Sequence, residues 1–344
     1  MKLSQKLLVL TLAAGGLLAQ TASALITIDT VPVGNAGNAA DPATGLGSVS
    51  YDYGIGKYEV TLNQYTAFLN AVGATDTYGL WNSQMGSNPN IMGISRSGAS
   101  GSYAYSVIGS GNRPVTFVSW FDSARFVNWL HNGQPTGAQN AATTEQGAYT
   151  LNGALSGIIT RNTGWTYGLP SQNEWYKAAF HQPVAQGGDV DNYWLYPTAS
   201  NAMPNSRNGS GSDANSANYF RDDGIANGFN GGYAVNNSIT PPSGNALTDV
   251  GSFSLADSFY GTFDQGGSVW EWNDAIDVGF RGMRGGAWNA IEPTLRAVSG
   301  GNVFDPAGED VKAGFRIAIV PEPGVIGLMA LGTALLAWQR KRAL

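Results

Sequence analysis

The sequence predicts a single loop-rich α+β domain, and three observations lead to that prediction. Three capping boxes, in which Ser or Thr precedes Gln, Asp or Glu by three residues, open segments whose apolar residues follow helical spacing. Between these segments lie long Gly-, Ser- and Asn-rich stretches with short apolar alternations that favour strands and turns. The 344-residue chain has 47 glycines and no cysteine. It shows no internal repeat and no sign of a second domain.

Composition excludes several function classes. Without cysteine the chain has no disulfide, no thiolate metal site and no cysteine nucleophile. The two histidines, His131 and His181, lie in no nucleophile motif, and a histidine-rich metal site would need carboxylates to complete it. We predict both near helix C-termini, where a partly positive side chain is favourable. The formal charge is −6 and no basic patch is present, so nucleic acid is excluded as a partner.

The first part of the chain predicts strands followed by a helix. Residues 26–53 contain short apolar alternations broken by Gly, Asn and Pro, which favour early strands and turns. Thr61 and Gln64 form the first capping box, and Gly73 is a plausible helix end. One apolar face follows from the spacing of Leu62, Tyr65, Phe68, Leu69 and Val72.

Two further helices are predicted after long insertions. Residues 74–113 read as a long loop with one strand at Tyr103–Ile108, and 131–164 and 182–250 as polar insertions. The second helix begins at the Ser119–Asp122 capping box and the third at Ser171–Glu174. The apolar face of the second helix consists of Trp120, Ala124, Val127 and Leu130.

The stretch Asp264–Ile317 contains the densest pattern of the chain. It reads D-Q-G-G-S-V-W-E-W-N-D, then R-G-M-R-G-G-A-W-N-A, then A-G-F-R-I-A. Its glycine pairs allow positive φ or close backbone approach. Its arginines lie among apolar neighbours and therefore call for partners, since an unpaired buried charge is costly. The arginines are Arg284, Arg296 and Arg316, and the candidate partners are Glu271, Asp274 and Asp277.

The series G-x-V-W-E-W, R-G-G-[SA]-W and G-F-R resembles the C-terminal signature of the sulfatase-modifying-factor family, which contains the formylglycine-generating enzymes. The three predicted helices match further motifs of that family, so the resemblance covers residues 50–319. It implies a single irregular α+β domain similar to a C-type lectin core.

The resemblance also implies a calcium site. Matched onto this chain, its ligands are Asp264, the backbone carbonyls of Gly267 and Val269, and Glu271. The residues are compatible with such a site, because calcium prefers oxygen ligands and the two acids bracket a glycine turn. In the alternative interpretation Glu271 only forms a salt bridge with an arginine such as Arg284.

The family's oxidase chemistry uses two cysteines that bind copper, and this chain departs from the family there. Ala290 and Leu295 occupy the two positions, and neither can bind copper(I), which prefers sulfur ligands. We therefore expect no copper site. Trp288, Asn289 and Arg296 are candidates for a retained ligand-binding site, since Trp and Arg are common anchors. The alternative is that they only pack.

Both ends of the chain predict export. Residues 1–24 have the features of a signal peptide with an Ala-Ser-Ala cleavage site, and a membrane anchor is the alternative. Residues 321–344 contain P-E-P, an apolar stretch and a basic tail, and resemble the PEP-CTERM sorting signal. That resemblance implies a Gram-negative bacterium and an exosortase-type processing enzyme as partner; a plain single-pass anchor is the alternative. Residues 25–320 then carry 13 basic and 23 acidic residues, which suits a cation-binding exterior domain.

The sequence thus favours an exported, non-oxidase relative of the formylglycine-generating enzymes. It would serve as a calcium-stabilised binding or structural module at the cell surface or in extracellular matrix, with a glycan or a peptide as ligand. The alternative is an enzyme of the same family with cysteine-independent chemistry. Formylglycine generation itself would need thiols from outside the chain.

Overall fold

Four helices and fourteen short strands, joined by long loops, make up the described residues of a computed structural model, which are 25–206, 213–221 and 232–320. The predicted terminal signals, 1–24 and 321–344, lie outside these residues. The helices are α1 (Leu62–Val72), α2 (Gln84–Ser87), α3 (Trp120–His131) and α4 (Gln172–Phe180). The strands are β1 (Thr30–Val33), β2 (Tyr53–Gly56), β3 (Ile94–Ser97), β4 (Ala104–Val107), β5 (Tyr167–Gly168), β6 (Asn205–Ser206), β7 (Ser216–Ala217), β8 (Phe220–Arg221), β9 (Gly232–Tyr233), β10 (Trp270–Asp277), β11 (Phe280–Arg284), β12 (Asn302–Phe304), β13 (Ala313–Gly314) and β14 (Ala318–Ile319).

The three capping boxes begin α1, α3 and α4 as the sequence predicts. In each case the Ser or Thr side chain accepts from the backbone N–H three residues on, and the side chain at that residue accepts from the N-cap N–H. These reciprocal bonds satisfy two N–H groups that the first turn leaves unpaired. Gly73 ends α1, and its N–H donates to the carbonyl of Leu69.

Helix α3 is buried on nearly every side, whereas the sequence predicts one apolar face. Only His131 of its twelve residues is not buried. The loop that follows supplies partners for the polar side: Arg125 forms an ion pair with Glu145, and Asn128 bonds the backbone of Tyr149. The polar insertion 131–164 therefore covers the helix. Its hydrogen bonds offset the desolvation cost of burying the polar side chains of α3.

Two four-stranded sheets hold the chain together. The first has the order β1-β2-β14-β5, so the last described strand lies between two early ones. The second has the order β12-β11-β10-β13, and β10 carries the W-E-W motif. Trp270 and Trp272 on one face of β10, and Glu271 and Asn273 on the other, are all buried, so both faces of this part of the strand are covered. Helices α1 and α3 pack in the same hydrophobic cluster as the buried residues of β10.

The observed architecture confirms the predicted fold class, a helix-poor, loop-rich α+β domain, and it is compatible with the expected similarity to a C-type lectin core. The strand expected at Tyr103–Ile108 is β4, which pairs with β3. In the part of the chain that the structure describes, no helix has the length and apolar character needed to cross a membrane.

Candidate functional site

A fully buried ion pair lies at the centre of the C-terminal motifs. Glu271 of β10 receives two hydrogen bonds from Arg316, from Nε to Oε2 at 2.5 Å and from Nη2 to Oε1 at 2.7 Å. The indole N–H of Trp175, on α4, donates to Oε2 at 2.7 Å. A bidentate, charge-assisted pair of this kind fixes both side chains in one geometry.

Arg316 also joins segments that are far apart in sequence. Its Nη1 donates to the carbonyl of Gly56 at 2.9 Å, and its Nη2 donates to the carbonyl of Phe263 at 2.9 Å. The guanidinium therefore connects β2, the glycine turn and β10. Because each bonded group is a backbone carbonyl or a carboxylate, the buried positive charge is well compensated.

Two more carboxylates surround this pair. Glu59 is 2% exposed, and its Oε2 lies 3.9 Å from Nη2 of Arg316. Neither of its carboxylate oxygens has a hydrogen-bond partner among the described residues. Asp264 accepts from the N–H of Gly251 at 2.6 Å. Burial is the main cause that raises the pKa of Glu59 well above its usual range and the pKa of Asp264 to about 6. With all three carboxylates ionised, the cluster would carry two more negative charges than the guanidinium neutralises.

The glycine turn beside this cluster is tightly constrained. Gly267 has φ +87°, and a Cβ there would lie 2.2 Å from the carbonyl oxygen of Asn218, so no other residue fits. Asp264 and Ser268 also adopt positive φ, 60° and 59°. Non-glycine residues hold that conformation only where the surroundings enforce it, and such positions cluster at ligand sites.

The predicted calcium ligands fit a cation through part of their donor set. Glu271 Oε1 accepts one hydrogen bond and keeps one lone pair, whereas Oε2 accepts two. Asp264 has one oxygen committed to Gly251. Monodentate binding by each acid, together with the carbonyls of Gly267 and Val269, matches calcium's preference for oxygen. No group of three or more His, Asp or Glu side chains within the described ranges is arranged to hold a metal ion. The calcium site stays a prediction.

The expectation that Arg284 pairs with a carboxylate is wrong. It lies across from Glu271 in the β10–β11 register, but its guanidinium lies 5.1 Å from the ring centroid of Tyr176 and donates to the carbonyl of Ser299. The physical reason is competition, because Arg316 takes both oxygens of Glu271. The other two expected partners are also unavailable: Asp274 pairs with Arg161 and Arg281, and Asp277 is exposed at the end of β10.

Of the three candidate ligand-binding residues, Trp288 is buried, and Asn289 and Arg296 are half-buried. Trp288 is 4% exposed and packs 5.8 Å from the ring of Tyr233. Within the part of the chain that the structure describes, its indole N–H and the side-chain oxygen of Asn289 are buried without a hydrogen-bond partner. Arg296 is partly exposed and forms a bidentate pair with Glu292, at 2.6 and 2.8 Å, which is not among its expected partners. Its guanidinium is therefore occupied within the chain.

Ala290 and Leu295 both pack against apolar groups. Leu295 is 1% exposed and lies in a cluster with Tyr196, Ala217 and Tyr219. Ala290 packs against the main core, and its carbonyl accepts from the N–H of Phe220. Leu295, which the sequence resemblance matches to the family's second cysteine, thus occupies an interior packing position.

The histidines lie at helix ends as predicted, but His181 is not partly positive. It follows the last residue of α4, and burial, together with the charge of Lys177, lowers its pKa to about 4. Its Nδ1 forms a hydrogen bond with the hydroxyl of Tyr260 at 2.7 Å. His131 is the last residue of α3 and accepts from the N–H of Thr166. Neither histidine contacts a carboxylate in these bonds.

Sequence reasoning missed Glu59 and Trp175 as members of the buried cluster. Glu59 stands in K-Y-E-V directly before α1, and the capping box had placed Trp175 on α4. No spacing rule indicates that either reaches Glu271 or Arg316. The only available signal was that a charged residue, Glu59, stands between apolar residues.

Comparison with known proteins identifies the family. No curated protein matches the chain in sequence. Among solved structures it is similar to CarF, at 20% identity and a TM-score of 0.49 over 86% of this chain and 99% of that one. It is also similar to Treponema denticola variable protein 1, at 19% identity and a TM-score of 0.43 over 85% of this chain and 95% of that one. A third similar structure is PvdO from Pseudomonas aeruginosa, at 16% identity and a TM-score of 0.39 over 86% of this chain and 92% of that one. The family model described as the sulfatase-modifying factor enzyme 1-like domain matches residues 14–320. The chain belongs to that family.

Proposed function

We propose that this protein is an exported member of the family without oxidase chemistry, which serves as a binding or structural module at the cell surface. One observation carries the proposal. Where the family's second copper-binding cysteine stands, Leu295 is buried in an apolar cluster. A hydrocarbon side chain there supplies no ligand to copper(I) and fills the space that a thiolate would need.

The retained scaffold supports the same proposal. The Glu271–Arg316 pair fixes the fold, while Ala290 and Leu295 supply none of the chemistry that the family grafts onto it. A chain that keeps the scaffold and lacks the thiolates is suited to binding a partner at its surface rather than to oxidising one. The partner is an extracellular glycan or peptide.

The test is an oxidation assay on the purified protein. It is loaded with copper and given oxygen, a reductant and a cysteine-containing sulfatase peptide, beside an active formylglycine-generating enzyme as positive control. The peptide mass should stay unchanged with this protein. Turnover above the no-enzyme control would overturn the proposal and favour an enzyme whose chemistry does not depend on cysteine.

Calcium is proposed as a structural ion at the glycine turn. Two observations support it: the excess of carboxylates around Arg316, and the positive φ of Asp264 and Ser268. A divalent cation would balance the two carboxylate charges that Arg316 leaves unneutralised when all three acids are ionised.

Export and processing are proposed from the sequence alone, since both signals lie outside the described residues. The mature chain should begin at Leu25 and be cut by an exosortase-type enzyme near Pro321-Glu322-Pro323. Mass spectrometry of protein collected from the cell exterior checks both ends. Recovery of the intact tail in the membrane fraction would indicate a permanent anchor.

A further inference from the structure

A polar cavity at the start of α1 is separate from the site described above. Its volume is 380 Å³, within the range of about 300–1,000 Å³ that is typical of small-ligand sites. Its walls come from the segment before β1, the first turn of α1, and the loops at Asn112 and Val250. None of the residues proposed for calcium, and neither Ala290 nor Leu295, lines it.

Hydrogen-bonding groups in the cavity wall are left without protein partners. In the described part of the chain, three polar groups of the wall make no hydrogen bond: the side-chain oxygen of Asn63, the side-chain nitrogen of Asn112 and the hydroxyl of Tyr58. The other two amide atoms share one long contact, 3.5 Å from Nδ2 of Asn63 to Oδ1 of Asn112. The wall therefore offers both donors and acceptors, together with one aromatic ring.

The same wall is unsuited to an anion. The first N–H groups of α1 are already satisfied: Leu62 donates to the carbonyl of Arg113, Asn63 to that of Gly111, and Gln64 to the side chain of Thr61. The helix start therefore has few free N–H groups to offer. The lining contains no Lys or Arg, and its one charged residue is Asp29. These features disfavour an anionic ligand.

The cavity is also built before any ligand arrives. Gln64 bridges the N-cap of α1 and the carbonyl of Thr27, which fixes the N-terminal segment on the helix. Val250 donates its N–H to the carbonyl of Asn112 at 3.0 Å, which joins the other two walls. A preformed wall lowers the ordering cost of binding.

We propose that this cavity binds a neutral carbohydrate. Sugar hydroxyls donate and accept at once, which matches the side-chain oxygen of Asn63, the side-chain nitrogen of Asn112 and the hydroxyl of Tyr58. The ring of Tyr58 already lies 5.6 Å from the ring of Phe263 and 5.3 Å from the ammonium of Lys57, so the sugar is held by hydrogen bonds rather than by stacking. The nearby open edge of β1 is poorly suited to adding a peptide strand, because Pro32 has no N–H to donate.

The test uses the purified full chain with chitotetraose and maltotetraose as neutral probes, a sulfated tetrasaccharide as anionic probe and tetraglycine as peptide probe. Binding is measured by saturation-transfer NMR and by titration calorimetry. At least one neutral probe should bind. The double variant Asn63→Ala/Asn112→Ala should weaken binding about tenfold or more, as expected when two hydrogen bonds are lost.

The matched control is Asn302→Ala, which removes an exposed amide on β12 of the second sheet, outside the cavity wall. It should leave the affinity unchanged. Circular dichroism should show that all variants are folded. The proposal is overturned if neither neutral probe binds, if the double variant binds as wild type does, or if only the sulfated probe or tetraglycine binds. Because the cavity does not include Ala290 or Leu295, these outcomes are independent of the oxidation assay.

Discussion

Two regions of the C-terminal signature show opposite ways of using a buried position. Around Arg316 the chain buries a guanidinium with three carboxylates nearby and pairs one of them, Glu271, bidentately. Around Ala290 and Leu295 the two side chains themselves pack against apolar and aromatic groups. The first region joins distant segments of the fold, and the second is where we propose that the family's copper chemistry is missing. The comparison shows that the motif residues by which the family is recognised are those that hold the scaffold together.

The largest effect is expected from breaking the charged region. Arg316→Met leaves Glu271 buried without its cation and should lower the free energy of unfolding by about 3–5 kcal/mol, measured by urea denaturation. Arg284→Met is the matched control, because Arg284 is a buried arginine without a bonded carboxylate, and it should cost far less. Equal losses for the two variants would show that ion pairing does not distinguish the two arginines.

A second variant keeps the measurement interpretable. Adding Glu271→Gln to Arg316→Met removes the unpaired charge and should restore part of the lost stability, so that the two effects are not additive. Additive losses would contradict a coupled pair.

The apolar region should respond next. Leu295→Ala removes buried methyl groups and should lower the free energy of unfolding by about 2–5 kcal/mol. Ile291→Ala, in the same segment but 57% exposed, should change it by about 0.5 kcal/mol or less. If Leu295→Ala were as mild as its control, the position would be loosely packed, and the argument against a thiolate site there would fail.

Calcium tests whether the charged region needs an ion as well as Arg316. Calcium at a hundredfold excess over its Kd should stabilise chelator-stripped protein by about 2.7 kcal/mol, visible as a higher Tm in calorimetry. Asp264→Asn, which tolerates the same positive φ, should abolish the rise. An identical melting curve with and without calcium would show that Arg316 and bound protons balance the carboxylates.

Asp122 shows how a buried carboxylate behaves without a bonded guanidinium. Burial, with a smaller effect from Glu309, raises its pKa to about 7, although it accepts two hydrogen bonds from Ser119. A raised pKa in the folded state means that its stabilising contribution is complete below pH 4 and is lost as pH rises to 7. Between pH 5 and 7 the free energy of unfolding should fall by on the order of 2 kcal/mol. Asp122→Asn should flatten this slope in urea titrations; an unchanged slope would assign it to other groups.

Local signals made α1, α3 and α4 predictable, whereas the four-residue α2, which has no side-chain cap, lies in a stretch that the sequence predicts as a loop. The capping boxes at Thr61, Ser119 and Ser171 are complete within four residues, so the sequence contains all that is needed to place them. The burial of α3 on all sides depends on the insertion 131–164, and polar composition alone gave no indication that this loop folds back over the helix.

In the candidate site, too, the individual residues were predictable from local sequence and their contacts were not. The sequence identified Glu271 and Arg316 as buried charges that need partners, because each stands among apolar residues. It did not pair them with each other, since several acids and arginines were equally plausible and only the fold brings particular ones within hydrogen-bonding distance. Glu59 and the cavity at Asn63 arise from contacts between segments that are separated along the chain, and no motif marks them.

The place of β14 has a consequence for biosynthesis. This two-residue strand is the last of the described part, yet it lies between β2 and β5, and Arg316 just before it bonds to a carbonyl 260 residues away. Such distant pairings close late and fold slowly. While the last few residues of the domain are still inside the ribosome, β14 is therefore missing from between β2 and β5 of the first sheet. A truncation at 315 should be as damaging as a much larger one, whereas a cut after 320 opens none of the described strand pairings.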